Sequence, residues 1–195
     1  MSLVVGLAGV LVMIGWICDI NILKSISPAW ISMKFDTAIT FVLSGITLYF
    51  IVRAQDGAFD QAQVALSITS LIIILLMGIL FFSTLLEIHT GAENLFIKET
   101  RVAAKTVIPG RPSVPTMVNF ILIALAGILT MLNLKKLQPK LKIIGLAVGI
   151  IGVLAVIGYI MNAPLLYYYL PGLNSAMALH TAILFVLIGI GLLCL

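Results

Sequence analysis

The sequence predicts an all-α integral membrane protein whose six transmembrane helices form three pseudo-repeated helical hairpins. Three observations predict it. The 195 residues are 62% hydrophobic and only 9% charged, with a mean hydropathy of +1.25, whereas soluble domains carry about 25% charged residues. Six apolar runs approach the roughly 20 residues that cross hydrocarbon; they stand near 3–18, 37–52, 62–86, 116–134, 143–161 and 176–195. Finally, stretches of the first hairpin recur in the last. No alternation marks barrel strands, and helices satisfy their own backbone groups in lipid.

Taken in order, the N-terminus lacks the basic flank and small-residue cleavage site of a signal peptide, so 3–18 reads as a retained span. The second run is short unless its first turn uses the interface. After 62–86 comes a loop over 87–115, in which "GAENLFIKETRVAAKT" mixes charges with Leu95, Phe96, Ile97 and Val102. That pattern predicts an amphipathic helix lying in the interface. Between the fourth and fifth spans, "LKKLQPKLK" reads as an anchor on anionic lipid. Tyr167, Tyr168 and Tyr169 precede the sixth span and read as an interfacial aromatic belt. Cys18 and Cys194 close the first and last spans on opposite faces, which excludes a disulfide between them and leaves both as small apolar fillers. The whole of 1–195 is one transmembrane domain, with hairpins at about 1–53, 62–134 and 142–195.

Charge sets the orientation. Six spans put Arg53, Lys135, Lys136, Lys140 and Lys142 on the side of the termini, all in short loops. Lys24, Lys34, Lys98, Arg101, Lys105 and Arg111 lie opposite, mostly in the long loop with Glu87, Glu93 and Glu99. Dense Lys/Arg in short loops dominates orientation, so both termini are expected in the cytoplasm of a cell (plasma) membrane protein.

The repeat is explicit. "GVLVMIGWI" at 9–17 aligns with "GVLAVIGYI" at 152–160, 143 positions on. Met33, Asp36, Thr37, Phe41 and Gly45 align with Met177, His180, Thr181, Phe185 and Gly189, 144 positions on. A worn third copy has Thr116, Phe120 and Ala124. Internal repetition of this kind decides a fold. Each Thr–Phe–small stripe lies within about 80° on a helix and suits a close-packed seam with threonine bonding across it.

Ionisable groups at membrane depth are functional candidates. The outer ends gather Asp36, Thr37, His89, Arg111, Thr116, His180 and Thr181 as candidate ligand-binding residues. Asp36 alternatively caps its helix, and His180 alternatively bonds a loop carbonyl. His89 and His180 are the only histidines and would serve as axial ligands only if haem is present; zinc would need further ligands. There is no nucleophile constellation, phosphate loop or zincin motif, so no enzyme is expected, nor a nucleic-acid partner.

"SISPAWISMKFDTAITFVLSGITL", "GAENLF…PGRPSVPTMVNFILIAL" and "NSAMALHTAILFVLIGIGLL", in that order, resemble the membrane-integral N-terminal sensor region of certain bacterial and archaeal histidine kinases and diguanylate cyclases. Motifs there read roughly M-K-F-N-T-A, G-I-D…P-G-R-M-S-P-N-T-A and M-A-x-H-T-A. The third motif fits with Met177, Ala178, His180, Thr181 and Ala182; the first has Asp36 where asparagine is usual. The second keeps Pro109, Gly110, Arg111, Ser113 and Thr116 but departs at Pro115 and Met117. The resemblance implies a module that senses a ligand or membrane state outside and passes it to a cytoplasmic signalling domain or partner protein, with homo-oligomerisation open. The chain stops at Leu195 without an output domain, as expected of a receptor fragment or of a stand-alone relative. The alternatives are a small haem- or quinone-binding subunit of a larger membrane complex, or a small-solute transporter. The last is disfavoured because no charged pair or broken helix stands near the midplane.

Overall fold

A computed structural model of the chain describes residues 1–27, 30–88, 90–97, 106, 108–133, 136–170 and 175–195. Among these the helices are α1 (Ser2–Ile17), α2 (Asn21–Lys24), α3 (Phe35–Gln55), α4 (Phe59–Leu85), α5 (Val114–Met131), α6 (Leu137–Ile160) and α7 (Leu179–Leu193), with no β-strand. Four of them, α3 to α6, are long and apolar enough to cross a membrane. The apolar α1 and α7 have 16 and 15 residues; at 1.5 Å per residue they reach roughly 24 and 22 Å, short of about 30 Å of hydrocarbon. The protein is all-helical and multi-pass.

The expected 37–52 span is longer than its apolar run. Asp36 joins the first turn and Arg53 the last, each at the end of the helix that its charge favours. The 176–195 span instead loses its start, because Ser175–Ala178 runs extended into the N-cap at Ala178.

Large apolar side chains remain exposed along α1 (Leu3, Leu7, Leu11), α4 (Leu71, Leu75, Phe82) and α6 (Ile143, Leu146, Ile150). Such continuous apolar faces suit lipid and not water. Cys18 and Cys194 are exposed with them, so neither fills the interior as expected. The tyrosine belt is also corrected. Tyr167 is buried and stacks on Tyr159, ring centroids 4.6 Å apart, because its chain segment folds back under α6. The expected interfacial helix over 91–106 starts as a single 3-10 turn, Ala92–Asn94, with Leu95 and Phe96 exposed after it; residues 98–105 lie outside the described set.

The helices pair chiefly as α1 with α3, α4 with α5, and α6 with α7. The first and last pairs make the same contacts at matching positions. A Cβ on Gly9 would meet the Ala38 carbonyl and Val42; one on Gly152 would meet the Ala182 carbonyl and Val186. The Trp16 indole N–H donates to the Met33 carbonyl at 2.9 Å, and the Tyr159 hydroxyl donates to the Met177 carbonyl at 2.8 Å. The Met33 amide donates to Lys24 and the Met177 amide to Tyr167. Lys24 lies over the Trp16 ring where Tyr167 lies over Tyr159. Phenylalanine at either ring should strand a buried carbonyl, at a cost of roughly 1–3 kcal/mol. Trp16→Phe and Tyr159→Phe should therefore lower the unfolding midpoint in detergent by similar amounts. A midpoint unmoved in both variants would show that these bonds contribute nothing.

Phe41, Phe120 and Phe185 meet at the centre, all fully buried, with ring centroids 4.8, 5.0 and 5.0 Å apart. The expected seam divides here. Threonine and phenylalanine of each stripe face the centre, whereas Gly45 and Gly189 face the backbones of α1 and α6 in their own hairpins.

Candidate functional site

Three helices begin at one place for one local reason. Lys34, Ser113 and Ala178 precede α3, α5 and α7 as N-caps with nearly identical extended backbones, φ −71, −69 and −67° and ψ 152, 151 and 147°. None of the three caps takes a backbone N–H of its helix with its side chain. The first amides bonded in the cap pattern are those of Ala38, Met117 and Ala182, which donate to the carbonyls of Lys34, Ser113 and Ala178. The first-turn amides of α3 and α7 thus stand ahead of the intrahelical bonds, whereas in α5 Pro115 carries no N–H and Val114 has a partner.

Thr37, Thr116 and Thr181 are the third residues of these helices, one turn above the phenylalanine triangle. They line a common pocket together with Ser32, Lys34, Arg111 and Ser113, walled by Ile31, Met33, Pro112, Ala176 and Ala178. Its empty space, including the open mouth, is about 220 Å³. The three threonines are each 2% exposed, and Lys34 and Arg111 each 4%. The threonines differ in their bonding. Thr116 shares a hydrogen bond with Ser113 at 2.7 Å, whereas the Thr37 and Thr181 hydroxyls have no partner among the described residues. Thr40, Thr47, Thr69, Thr84 and Thr130 all donate to the carbonyl four residues back. For Thr37 and Thr181 the residues four back are Met33 and Met177, which precede the N-caps and lie outside the helices; their carbonyls accept from Trp16 and Tyr159.

Arg111 is held by the loop behind the pocket. One guanidinium nitrogen donates to Ser83 Oγ at 2.8 Å, to the Ile88 carbonyl at 3.0 Å and to Glu93 Oε1 at 3.4 Å. Gly110 makes the turn before it with φ 76°, and a Cβ there would collide with the Glu93 carbonyl. Lys34 donates to Thr106 Oγ1 at 3.1 Å.

Of the residues singled out in the sequence, Thr37, Arg111, Thr116 and Thr181 are thus brought together. Asp36 and His180 are not part of the pocket lining. Both sit second in their helices, as the repeat requires. Asp36 does not cap α3; it is buried, within electrostatic reach of Glu93, with Oδ2 unpartnered among the described residues. His180 is half-buried with Nε2 likewise unpartnered. His89 lies outside the described residues, and with it the axial-ligand pair. Among the described residues no group of three or more His, Cys, Asp or Glu could hold a metal ion.

Lys34, Ser113 and Glu93 were missed as site residues. The signal for the first two was their place three residues before Thr37 and Thr116. Asn119 was also missed: it is fully buried on α5, and neither amide atom has a partner among the described residues. No protein family, curated protein or solved structure matches the chain.

Proposed function

We propose that the chain is a six-span, three-hairpin sensory or regulatory module of the kind joined to histidine kinases or diguanylate cyclases. Both termini lie in the cytoplasm of the cell membrane, and a ligand is read at the opposite face, where α3, α5 and α7 begin. The observation that carries this reading is the shared pocket of Thr37, Thr116, Thr181 and Arg111. It draws on all three hairpins at once, so an occupant would contact every unit whose relative position can change. The matched contacts of α1–α3 and α6–α7 support the duplicated-hairpin part of the proposal.

The proposed mechanism is a small shift of hairpins about the phenylalanine triangle, carried inward by α7. It requires two packings with different ligand affinity. Joining a kinase domain behind α7 gives the test. Thr116→Phe should fill the pocket and lock the kinase at one output level, whatever stimulus switches the unsubstituted fusion. An output that still switches in the folded, membrane-inserted variant would sink the sensory role of this pocket.

A further inference from the structure

We propose that the pocket at the starts of α3, α5 and α7 binds the oxygens of a phosphate group, with Thr37 and Thr181 as hydroxyl donors. This inference rests on the reading of that pocket as the ligand end of the module and names its ligand class. Three features of the geometry carry it.

The first is the pair of unused hydroxyls. Thr37 and Thr181 are 98% buried, line the pocket, and make no hydrogen bond to any described residue. Neither hydroxyl oxygen is among the fully buried atoms without a partner, so both open onto the pocket space, where a ligand can reach them. The local cause is specific: the residues four back, Met33 and Met177, precede the N-caps Lys34 and Ala178 and lie outside the helices. Two hairpins thus repeat the same device and leave the same donor open to the same space.

The second is charge. Three helix starts converge on the pocket, each bringing the positive end of a helix dipole. Among the described residues the charged side chains that line the pocket are Lys34 and Arg111, with no carboxylate. Glu93 and Asp36 stand behind the wall, Glu93 as the partner of Arg111. A cation would be repelled by Lys34 and Arg111 here, and a neutral ligand would leave the converging dipoles unanswered.

The third is shape. The phenylalanines one turn below form a nearly equilateral triangle, 4.8, 5.0 and 5.0 Å on a side. The threonines one turn above are therefore disposed about a common centre. Two open hydroxyls with Lys34 and Arg111 beside them match the several oxygens of a tetrahedral phosphate better than the two of a planar carboxylate. The phosphate is either free in the water outside or the headgroup of a lipid in the facing leaflet.

The test uses the full chain purified in a phosphate-free, non-ionic detergent. Inorganic phosphate should raise its unfolding midpoint in a saturable way, while chloride at equal ionic strength should not. Native mass spectrometry of the same preparation should reveal any phospholipid retained at one per chain. Thr37→Val and Thr181→Val conserve volume and remove hydroxyls that bond none of the described residues, so the unliganded midpoint should stay or rise. A hydrogen bond to a charged group is worth roughly 1.5–3 kcal/mol, which converts to at least about tenfold in affinity per hydroxyl. The double variant should accordingly bind phosphate on the order of a hundredfold more weakly, or lose the lipid.

A phosphate-induced shift lost in the double variant identifies a free anion. A retained phospholipid lost in the double variant identifies a headgroup. Neither phosphate nor phospholipid bound, or binding unchanged by the double substitution, overturns the proposal. The fusion of the preceding section separates the two readings. Thr116→Phe that locks the kinase although phosphate and phospholipid never bind leaves sensing and removes this ligand. Phosphate binding in a fusion whose output ignores Thr116→Phe leaves the ligand and removes sensing.

Discussion

Gly189→Leu is expected to yield no folded monomer in detergent, and Gly189→Ala to lower the unfolding midpoint sharply. A Cβ at this position would stand 2.7 Å from the Gly149 Cα, 2.8 Å from the Gly145 carbonyl oxygen and 2.8 Å from the Gly149 nitrogen. All three are backbone atoms, so no side chain can swing away; α6 and α7 must part. In lipid this matters more than in water. Interior and solvent are equally apolar there, and helices associate through close packing of small residues. Overpacking in ordinary cores costs about 1–3 kcal/mol; alanine here should fall in that range, and leucine well beyond it. Gly45 is the matching test, because its Cβ would meet the Ser2 carbonyl and Gly6 of α1 at 2.8 and 2.9 Å. Gly78 is the control. Nothing lies within 4 Å of a Cβ there, so Gly78→Ala should be neutral or stabilise by up to about 1 kcal/mol through helix propensity. Equal midpoints for Gly78→Ala and Gly189→Ala, read by unfolding in mixed micelles, would mean that the helices are not held at this distance.

The 143–144 offset that pairs Gly9 with Gly152 and Gly45 with Gly189 was legible in the sequence. Periodicity says that these residues face a neighbour. It does not say which one. A single Thr–Phe–small stripe read as one seam therefore resolved into two directions, with Thr37 and Phe41 inward and Gly45 toward α1. The Asp36/His180 difference was legible too, yet it pointed beside the pocket, because second and third positions of a helix differ by about 100° in direction. Lys34 looked like one more orienting charge. Only the identical N-cap backbones of residues 34, 113 and 178 show why it lies at the mouth of the pocket. Tyr167 illustrates the same limit: three consecutive tyrosines read as a belt, but one of them takes the place that Lys24 holds over Trp16. Such a substitution preserves a contact while changing its chemistry, and no composition rule detects it.

Arg111→Ala should cost about 3–5 kcal/mol, the range for removing one partner of a buried ion pair, and an exposed pair would cost less than about 1 kcal/mol. The buried case applies because Arg111 and Glu93 are each only 4% exposed in their side chains and lie 3.4 Å apart. The loss is larger than one interaction. It takes the Arg111 guanidinium from the Glu93 carboxylate, the Ser83 hydroxyl and the Ile88 carbonyl together, and so unfastens the loop that closes behind the pocket. Ser83→Ala removes two hydrogen bonds, the one its hydroxyl accepts from Arg111 and the one it donates to the Ile88 carbonyl, and should cost about 2 kcal/mol. The pair can be separated from mere packing by a double substitution. Arg111→Met with Glu93→Leu exchanges charge for apolar volume, which is often neutral or better at buried sites, and should restore most of the stability that Arg111→Met alone removes. The coupling between the two positions should therefore be favourable and exceed about 1 kcal/mol, as expected of residues in contact. Additive losses in the double variant would place Arg111 and Glu93 in water and dissolve the loop closure inferred here. Recovery of stability without recovery of phosphate or phospholipid binding would show, conversely, that the guanidinium serves the pocket itself as well as the loop.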